Sequence, residues 1–234
     1  MQRIFADMKP PITRMSRISA LIPAAGLGTR LGLGPKGLLQ IGQRSLLEIV
    51  IQTVRPLVDE ILVAIPGGYE AAFAASIGNR ALVVTGGKTR QDSIENLIDA
   101  SAGEFILIQD AARPFASRKL CSAVLDAAIQ HGAAGAFLDP GVPVGRIEDG
   151  QVASYQSRYE AGIFQAPQAF AREVLLAARR RTSGCQFQST AQMVIDSGYT
   201  LQALAGEPEN IKITSLLDWE IAQRVIAPAL GLDT

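Results

Sequence analysis

The stretch ISALIPAAGLGTRLGLGPK (residues 18–36) carries the strongest fold signal in this 234-residue chain. It opens with the apolar run 18–23 and passes directly into a glycine-rich loop. Such a transition is typical of a buried strand in a parallel α/β sheet, in which loops at the carboxyl ends of strands bind ligands. Small residues let backbone N–H groups approach an anion closely, and Arg30 and Lys36 add two cations. The loop is therefore predicted to hold a phosphate group, with contacts from Ala24, Ala25, Gly26 and Gly28.

Apolar runs and amphipathic segments alternate through the following hundred or so residues of the chain. Buried strands are predicted at 18–23, 60–65, 81–85, 104–110 and 133–138, and helices at 45–54, 91–101 and 117–130. Ser45 and Glu48 fit a capping box at the first helix. The alternation predicts a mainly parallel, Rossmann-like twisted sheet with helices on both faces.

A different pattern begins near residue 140. Two β-like runs flank Asp149-Gly150, which is a hairpin signal. The hairpin does not continue the α/β alternation, so residues 140–156 are predicted to project as an arm. Beyond it, helices are expected at 170–181, 188–197 and 215–225, and late strands at 200–205 and 210–214. Residues 17–234 are predicted to form a single domain, preceded by a poorly ordered extension, residues 1–16.

Composition excludes several classes of function. The chain has 22 Lys+Arg against 22 Asp+Glu, and a zero net charge argues against a nucleic-acid-binding domain. The apolar runs fall short of the ~18 residues of a membrane span, so no membrane partner is expected. Two cysteines make no disulfide framework, which favours a reduced, cytoplasmic setting. A single histidine leaves little room for His-based triads.

The glycine-rich loop fits none of the common phosphate motifs. A dinucleotide fingerprint needs a third glycine where Leu31 stands, and a Walker A loop needs Ser or Thr where Gly37 stands. A tight turn with surface cations is the simplest alternative. The third interpretation is more specific. AAGLGTRLGLGPKGLLQIGQRSLLE resembles the signature loop of nucleotidyltransferases that move a nucleoside monophosphate from a triphosphate onto a phosphate.

Four further stretches, all in order, narrow this resemblance. GGKTRQDSI (86–94), QDAARPF (109–115), APQAF (166–170) and ENIKIT (209–214) resemble segments of the 2-C-methyl-D-erythritol 4-phosphate cytidylyltransferase family. The resemblance covers about residues 18–226. It implies transfer of CMP from CTP to a phosphorylated polyol in isoprenoid precursor synthesis, with release of pyrophosphate. Because a phosphate monoester is already an anion, no general base is required, and catalysis rests on positioning and charge stabilisation.

The resemblance also implies roles for individual residues. Lys36, Arg30 and Lys212 would contact the phosphates as catalytic cations. Gly87, Arg90, Ser93 and Ala111 would join the glycine-rich loop in holding the nucleotide. Arg113 and Arg158 would bind the acceptor, and the arm would cross to a second subunit in a homodimer. Asp110 would bind Mg²⁺, with Glu209 as a weaker second contact; alternatively, Asp110 caps a helix or pairs with Arg113.

The acceptor side departs from the family pattern. The Asp-Thr pair before the arm is missing, T-P-Q becomes Ala166-Pro167-Gln168, and T-D-E-A-S becomes QSTAQ (188–192). Lost hydroxyls and acids change how a site reads a polyol. Ribitol phosphate, another polyol phosphate or a phosphonate therefore remain alternative acceptors. A sugar-1-phosphate nucleotidyltransferase and a catalytically silent nucleotide-binding protein are the competing classes.

Overall fold

A seven-stranded sheet forms the centre of the protein. We describe it from a computed structural model, which covers residues 16–232, so the predicted extension lies outside the described residues except for Ser16. Its strands are β1 (Ile18–Pro23), β4 (Glu60–Ile65), β5 (Leu82–Thr85), β6 (Phe105–Ile108), β7 (Ala133–Leu138), β10 (Ile163–Ala171) and β11 (Gln202–Ala205). They lie side by side in the order β11-β7-β10-β6-β1-β4-β5. Two short pairs lie outside it: β2 (Gln40–Ile41) with β3 (Arg44–Ser45), and β8 (Val144–Glu148) with β9 (Gln151–Gln156).

Helices cover both faces of the sheet, as the sequence predicts. Buried side chains of α1 (Leu46–Val54), α2 (Glu70–Ile77) and α4 (Arg118–His131) pack on one face. Those of α3 (Arg90–Ala100), α5 (Arg172–Arg181) and α6 (Thr190–Asp196) pack on the other. A third apolar cluster joins the glycine-rich loop to α7 (Leu216–Ile221), which continues through a wider turn, Ala222–Ile226, to α8 (Ala227–Ala229). This cluster therefore connects the beginning and the end of the domain.

Parallel pairing brings the functional loops to one edge. Strand β1 pairs in parallel with β4 and β6, and β4 pairs in parallel with β5. The loops that follow β1, β5 and β6 therefore leave the sheet on the same side. These loops are the glycine-rich loop, GGKTR (86–90) and QDAAR (109–113).

Strand β10 is the main feature that the sequence pattern missed. It runs antiparallel between β6 and β7, and it includes the stretch APQAF. Residues 170 and 171 therefore belong to a strand, and the helix predicted at 170–181 begins only at Arg172. Helix α2 and the β2–β3 pair were not predicted either. The physical reason for missing β10 is that Gln165, Pro167 and Gln168 interrupt its apolar run, although Gln165–Ala171 is buried throughout.

The strand predicted at 210–214 is wrong. This segment has no strand partner within residues 16–232, and isolated hydrogen bonds hold it: Ile213 N donates to Ala112 O, and Arg113 Nη1 donates to Asn210 O. The apolar residues of NIKIT are explained by the third cluster, into which Ile213 is fully buried. The apolar spacing of residues 210–214 therefore reflects the packing of their side chains into a hydrophobic cluster and does not indicate a strand.

The arm is confirmed as a hairpin. Strands β8 and β9 pair antiparallel around Asp149 and Gly150, both of which have positive φ, 49° and 79°. Asp-Gly tolerates this left-handed pair of conformations, which two-residue hairpins require. Every residue of both strands is exposed in the single chain.

Candidate active site

Two cavities lie side by side at the carboxyl edge of the sheet. The glycine-loop cavity, of about 340 Å³, is lined by Ala24–Gly26, Arg30, Lys36, Gly87–Arg90, Ser93, Asp110–Ala112 and Lys212, together with Pro23 and Gly37. The glutamine-lined cavity, of about 460 Å³, is lined by Arg113, Phe164–Ala166, Gln168, Gln188, Ser189 and Gln192. Arg90, Asp110 and Lys212 line both. These three residues thus form the wall where the cavities meet.

An aspartate between two cations dominates this wall. Arg90 Nη2 lies 2.9 Å from Asp110 Oδ1, and Lys212 Nζ lies 2.9 Å from Asp110 Oδ2. Burial alone would raise the pKa of Asp110, but the charges of Arg90 and Lys212 outweigh it and hold the pKa well below its usual range. Asp110 is therefore an anion at any neutral pH. The alternative that pairs its carboxylate with Arg113 is wrong, since the ion pairs of Asp110 are with Arg90 and Lys212.

Lys36 reaches the same cavity from the glycine-rich loop. Its Nζ donates to Ile213 O at 2.9 Å. Burial lowers the pKa of Lys36, and the charges of Arg30 and Lys212 lower it further, while Asp218 and Asp110 oppose them. Five cationic side chains line this one cavity, and such a cluster suits an anion of several charges: Arg30, Lys36, Lys88, Arg90 and Lys212.

Backbone geometry explains why glycines stand at fixed positions in the loop. Gly28 has φ +67°, and a Cβ there would collide with Gly34 O. Its own carbonyl accepts hydrogen bonds from Leu31 N and Gly32 N. Gly28 does not line either cavity, so its role in the described structure is to close the turn.

The loop after β5 is also packed too closely to hold a side chain at Gly87. Gly87 N donates to Ser93 Oγ at 3.0 Å, and a Cβ on Gly87 would collide with Asp92 Cβ. Ser93 Oγ in turn donates to Thr89 O, so this hydroxyl is fixed between two backbone groups. Thr89 and Asp92 also form the capping box of α3. Arg90–Ser93 therefore forms the start of α3, and Arg90 and Ser93 also line the glycine-loop cavity.

Two predicted residues lie elsewhere. Arg158 lines neither cavity; it stacks on the ring of Tyr159 at 4.6 Å and donates to Tyr159 Oη. Glu209 is exposed and also lines neither cavity. Sequence reasoning missed Lys88 and Thr89, which line the glycine-loop cavity, and Gln188 and Gln192, which line the other. The i, i+4 spacing of the two glutamines around the helix cap Ser189 is the signal that could have found them.

The two cavities offer a divalent metal a single carboxylate, that of Asp110. Within residues 16–232, no three His, Cys, Asp or Glu side chains come close enough together to form a metal cluster. Mg²⁺ commonly uses one or two carboxylates and completes its shell with substrate phosphates and water. The donor set of one buried aspartate in a cation-rich cavity fits that mode and does not fit an all-protein metal cage.

Taken together, the sheet edge and its cation-lined cavities define an α/β protein of the nucleotidyltransferase class. The model of the family 2-C-methyl-D-erythritol 4-phosphate cytidylyltransferase matches residues 18–227. This chain therefore belongs to that family. Among the described residues, no helix combines the length and apolar character needed to cross a bilayer.

Comparisons with individual proteins also support this family membership. The protein named 2-C-methyl-D-erythritol 4-phosphate cytidylyltransferase from Deinococcus radiodurans is 38% identical over 218 residues, covering 92% of each chain. A Thermus thermophilus protein of that name is 39% identical over 215 residues, which is 88% of this chain and 95% of that one. A crystal structure of the Thermus thermophilus enzyme superposes with a TM-score of 0.77, covering 90% of this chain and 98% of that one at 35% identity. A structure from Anaerococcus prevotii, titled 4-diphosphocytidyl-2C-methyl-D-erythritol synthase, gives 0.78 at 28% identity, with 89% and 97% covered.

Proposed function

We propose that this protein transfers CMP from CTP to 2-C-methyl-D-erythritol 4-phosphate and releases pyrophosphate, as a step in isoprenoid precursor synthesis. The observation that carries the proposal is the shared wall of Arg90, Asp110 and Lys212 between two cavities. A transferase of this kind needs its two substrates to meet at one phosphorus atom. Family membership supplies the identity of the substrates.

The chemistry is a displacement at the α-phosphorus of CTP. An oxygen of the acceptor phosphate forms the new P–O bond, and the bond to the β-phosphate oxygen breaks, so that pyrophosphate leaves with its electron pair. We assign Lys36, Arg30 and Lys212 to the charge on the transferring and leaving phosphates. Such preorganised cations stabilise developing charge without the need for a base.

The nucleotide is assigned to the glycine-loop cavity. This cavity is lined by Ala24, Ala25, Gly26 and Ala111, and also by Gly87, Arg90 and Ser93 from the loop after β5 and the start of α3. Fixed backbone groups and one oriented hydroxyl suit the small ring of a pyrimidine. Lys88, at the rim of this cavity, is an additional cation for the nucleotide.

The acceptor is assigned to the glutamine-lined cavity. Arg113 and Lys212 offer cations for its phosphate, and Gln188 and Gln192 offer amide groups for its hydroxyls. Gln192 Oε1 accepts from Gln188 N at 3.0 Å, so the oxygen of this amide is engaged and its N–H groups can donate to the acceptor. In this stretch Gln188 and Gln192 stand where the family pattern has hydroxyl side chains, and hydroxyl side chains stand where it has its two acids. 2-C-methyl-D-erythritol 4-phosphate remains the favoured acceptor on family grounds.

We propose Mg²⁺ as the cofactor, held by Asp110 and by phosphate oxygens of CTP. The metal supplies neutralisation of triphosphate charge. Asp110 offers a permanently ionised carboxylate, and Arg90 and Lys212 balance it in the absence of the metal. Glu209 stays a prediction for which the cavities offer no support, because it is exposed and lines neither.

A homodimer and a cytoplasmic location complete the proposal. The arm exposes apolar residues that a partner subunit would cover, and the partner would bring its Arg158 to the acceptor. Cys121 and Cys185 are both free thiols, in keeping with a reducing compartment.

The test is pyrophosphate release from each of the four nucleoside triphosphates against a panel of acceptors. The panel holds 2-C-methyl-D-erythritol 4-phosphate, ribitol 5-phosphate, a phosphonate and glucose 1-phosphate. We expect release with CTP and the methylerythritol phosphate. Release with a different nucleotide and a sugar 1-phosphate would support the competing transferase class. CTP binding in calorimetry without release from any acceptor would support a silent binding protein.

A further inference from the structure

The peptide unit between Ile213 and Thr214 joins Lys36 to a carboxylate outside the cavities. Its carbonyl oxygen accepts from Lys36 Nζ at 2.9 Å. Its N–H donates to Asp218 Oδ2 at 2.8 Å. Because a peptide unit is planar and rigid, the two contacts are mechanically coupled, and fixing the N–H fixes the direction of the carbonyl.

Asp218 makes more contacts to this segment than helix capping needs. The same Oδ2 also accepts from Thr214 Oγ1 at 2.7 Å and from Ser215 N at 2.7 Å. Partial burial alone would raise the pKa of Asp218, but the hydrogen bonds from Thr214 and Ser215 together outweigh it and lower the pKa to about 2. The carboxylate is thus ionised throughout the physiological range, and hydrogen bonds to a charged acceptor are the strong ones.

The neighbouring peptide unit carries the second lysine. Ile213 N donates to Ala112 O at 2.9 Å, which fixes the peptide that follows Lys212. Lys212 and the anchor of Lys36 are therefore adjacent on one segment, with Ala112 holding one peptide and Asp218 the next. An ammonium group has three donors, so Lys36 can keep its bond to Ile213 O and still present N–H groups to the cavity.

We propose that Asp218 is a positioning residue for the transfer reaction, acting through the Ile213–Thr214 peptide to hold Lys36 and the adjacent Lys212 in line with the phosphates. The inference rests on the proposed function of the site. Asp218 lines neither cavity, so we assign it a positioning role and not a catalytic one. The negative charge of Asp218 supports the same role, because it favours the protonated form of Lys36. The charged groups around Lys36 are Arg30, Lys212, Asp110 and Asp218, and of these the two acids favour the protonated lysine.

A matched pair of variants separates positioning from helix capping. Ser215→Ala removes Ser215 Oγ, which accepts from Asp218 N in the capping box of α7, and leaves the bonds to Asp218 Oδ2 in place. Asp218→Ala removes those bonds. We expect Asp218→Ala to lower kcat about tenfold or more while the Kd for CTP changes little, and Ser215→Ala to lower the melting temperature with kcat retained. Equal losses of kcat in both variants would reduce Asp218 to a helix cap and overturn the proposal.

The decisive readout is a double-mutant cycle with Lys36→Ala. If Asp218 acts largely through Lys36, the double variant should lose far less than the product of the single losses. Losses that simply multiply would overturn the proposal. Should Asp218→Ala fail to fold, Asp218→Asn keeps an acceptor oxygen and removes the charge; we expect a smaller loss of kcat that is again less than multiplicative with Lys36→Ala. Wild-type protein that releases no pyrophosphate would refute the proposed function instead, which distinguishes the two failures.

Discussion

At the scale of the residue, the ammonium group of Lys36 lies where electrostatic forces oppose one another. Burial and the cations Arg30 and Lys212 disfavour its charge, and two acids only partly offset them. An enzyme tolerates this arrangement where an incoming anion offsets the cost, because a polyphosphate relieves the mutual repulsion of the cations. We therefore expect replacement of Lys36 to affect the reaction far more than the fold.

Lys36→Ala should lower kcat by at least ~10², the scale of losing one donor to transition-state charge. The melting temperature should fall little or rise, since the variant removes a cation from a repulsive cluster. Lys119→Ala, an exposed lysine on α4 away from both cavities, is the control and should turn over normally. A Lys36→Ala enzyme with more than about a third of wild-type turnover would remove Lys36 from the mechanism.

The lowered pKa of Lys36 also predicts a pH dependence. The charged form is the useful one, so activity should fall as pH rises through a pKa below the usual 10.5 of lysine. Lys36→Arg keeps its charge above that range, and the alkaline limb of its kcat/KM profile should move to higher pH even if its maximum is lower. An alkaline limb that stays in place in Lys36→Arg would assign the titration to another group.

Asp110 gives a third prediction at this scale. Asp110→Asn preserves size and removes the anion, which leaves Arg90 and Lys212 without the charge that both contact. We expect a raised Mg²⁺ requirement and slower turnover, measured as kcat against Mg²⁺ concentration at saturating CTP. Asp99→Asn, which breaks the surface pair with Arg179, should leave the Mg²⁺ curve unchanged. An unchanged curve in Asp110→Asn would make Asp110 a structural residue.

At the scale of the element, the glycine-rich loop shows which glycines are obligatory. Gly28 and Gly32 both have positive φ, +67° and +71°, so alanine is strained equally at either. Only at Gly28 would the new Cβ meet the chain, colliding with Gly34 O and lying 3.3 Å from Lys36 Cγ. Gly28→Ala should therefore lower kcat/KM at least ~10-fold by displacing Lys36, whereas Gly32→Ala should cost only strain of ~1 kcal/mol. Equal kinetic losses in the two variants would show that φ alone, and not the contact, decides.

Elements with a local signal were predictable, and those fixed by distant partners were not. Strand β1, helix α1 with its capping box and the arm hairpin all follow from residues within a few positions of one another. Strand β10 was not predicted and is a strand, whereas the segment 210–214 was predicted as a strand and is not one. Strand β10 finds partners on both sides, whereas the segment packs Ile213 into a cluster that also contains Leu31 and Trp219. Sequence periodicity records burial, and it does not say whether a sheet or a cluster provides it.

The site was predictable to the same extent. Lys36, Arg90, Asp110 and Lys212, far apart in sequence, do meet at one edge. The parallel topology carries the loops of the first three there, and the packing of Ile213 and its hydrogen bond to Ala112 bring Lys212 to them. The ion pairs of Asp110 and the link from Asp218 through a peptide to Lys36 depend on side-chain directions and on a loop without regular structure. Such contacts produce no periodic pattern of apolar residues in the sequence.

At the scale of the whole molecule, the arm is the element whose apolar side chains stay exposed in a single chain. Ile147, Val152 and Tyr155 are 60%, 68% and 75% exposed, and the hairpin joins the sheet of the domain at neither strand. An isolated two-stranded hairpin is marginal in water, and exposed apolar patches mark interaction sites. A second copy of the chain related by a twofold axis is the commonest partner for such a surface. Arg158 follows the arm closely and points to its own Tyr159 instead of either cavity, as expected if its ligand belongs to a partner's site.

Breaking this surface should therefore affect assembly and acceptor use together. Val152→Asp places a charge in the apolar patch and should give monomers in analytical ultracentrifugation that bind CTP normally but have a raised KM for the acceptor. Val225→Asp, 62% exposed on the C-terminal helix, carries the same change outside the arm and should remain a dimer.

Arg158→Ala should stay dimeric and raise the acceptor KM by the loss of a charge-assisted bond of ~1.5–3 kcal/mol, or about tenfold or more. Wild-type protein that sediments as a monomer at micromolar concentration and still turns over normally would contradict a site shared between subunits, because each acceptor cavity would then be complete without the partner's arm.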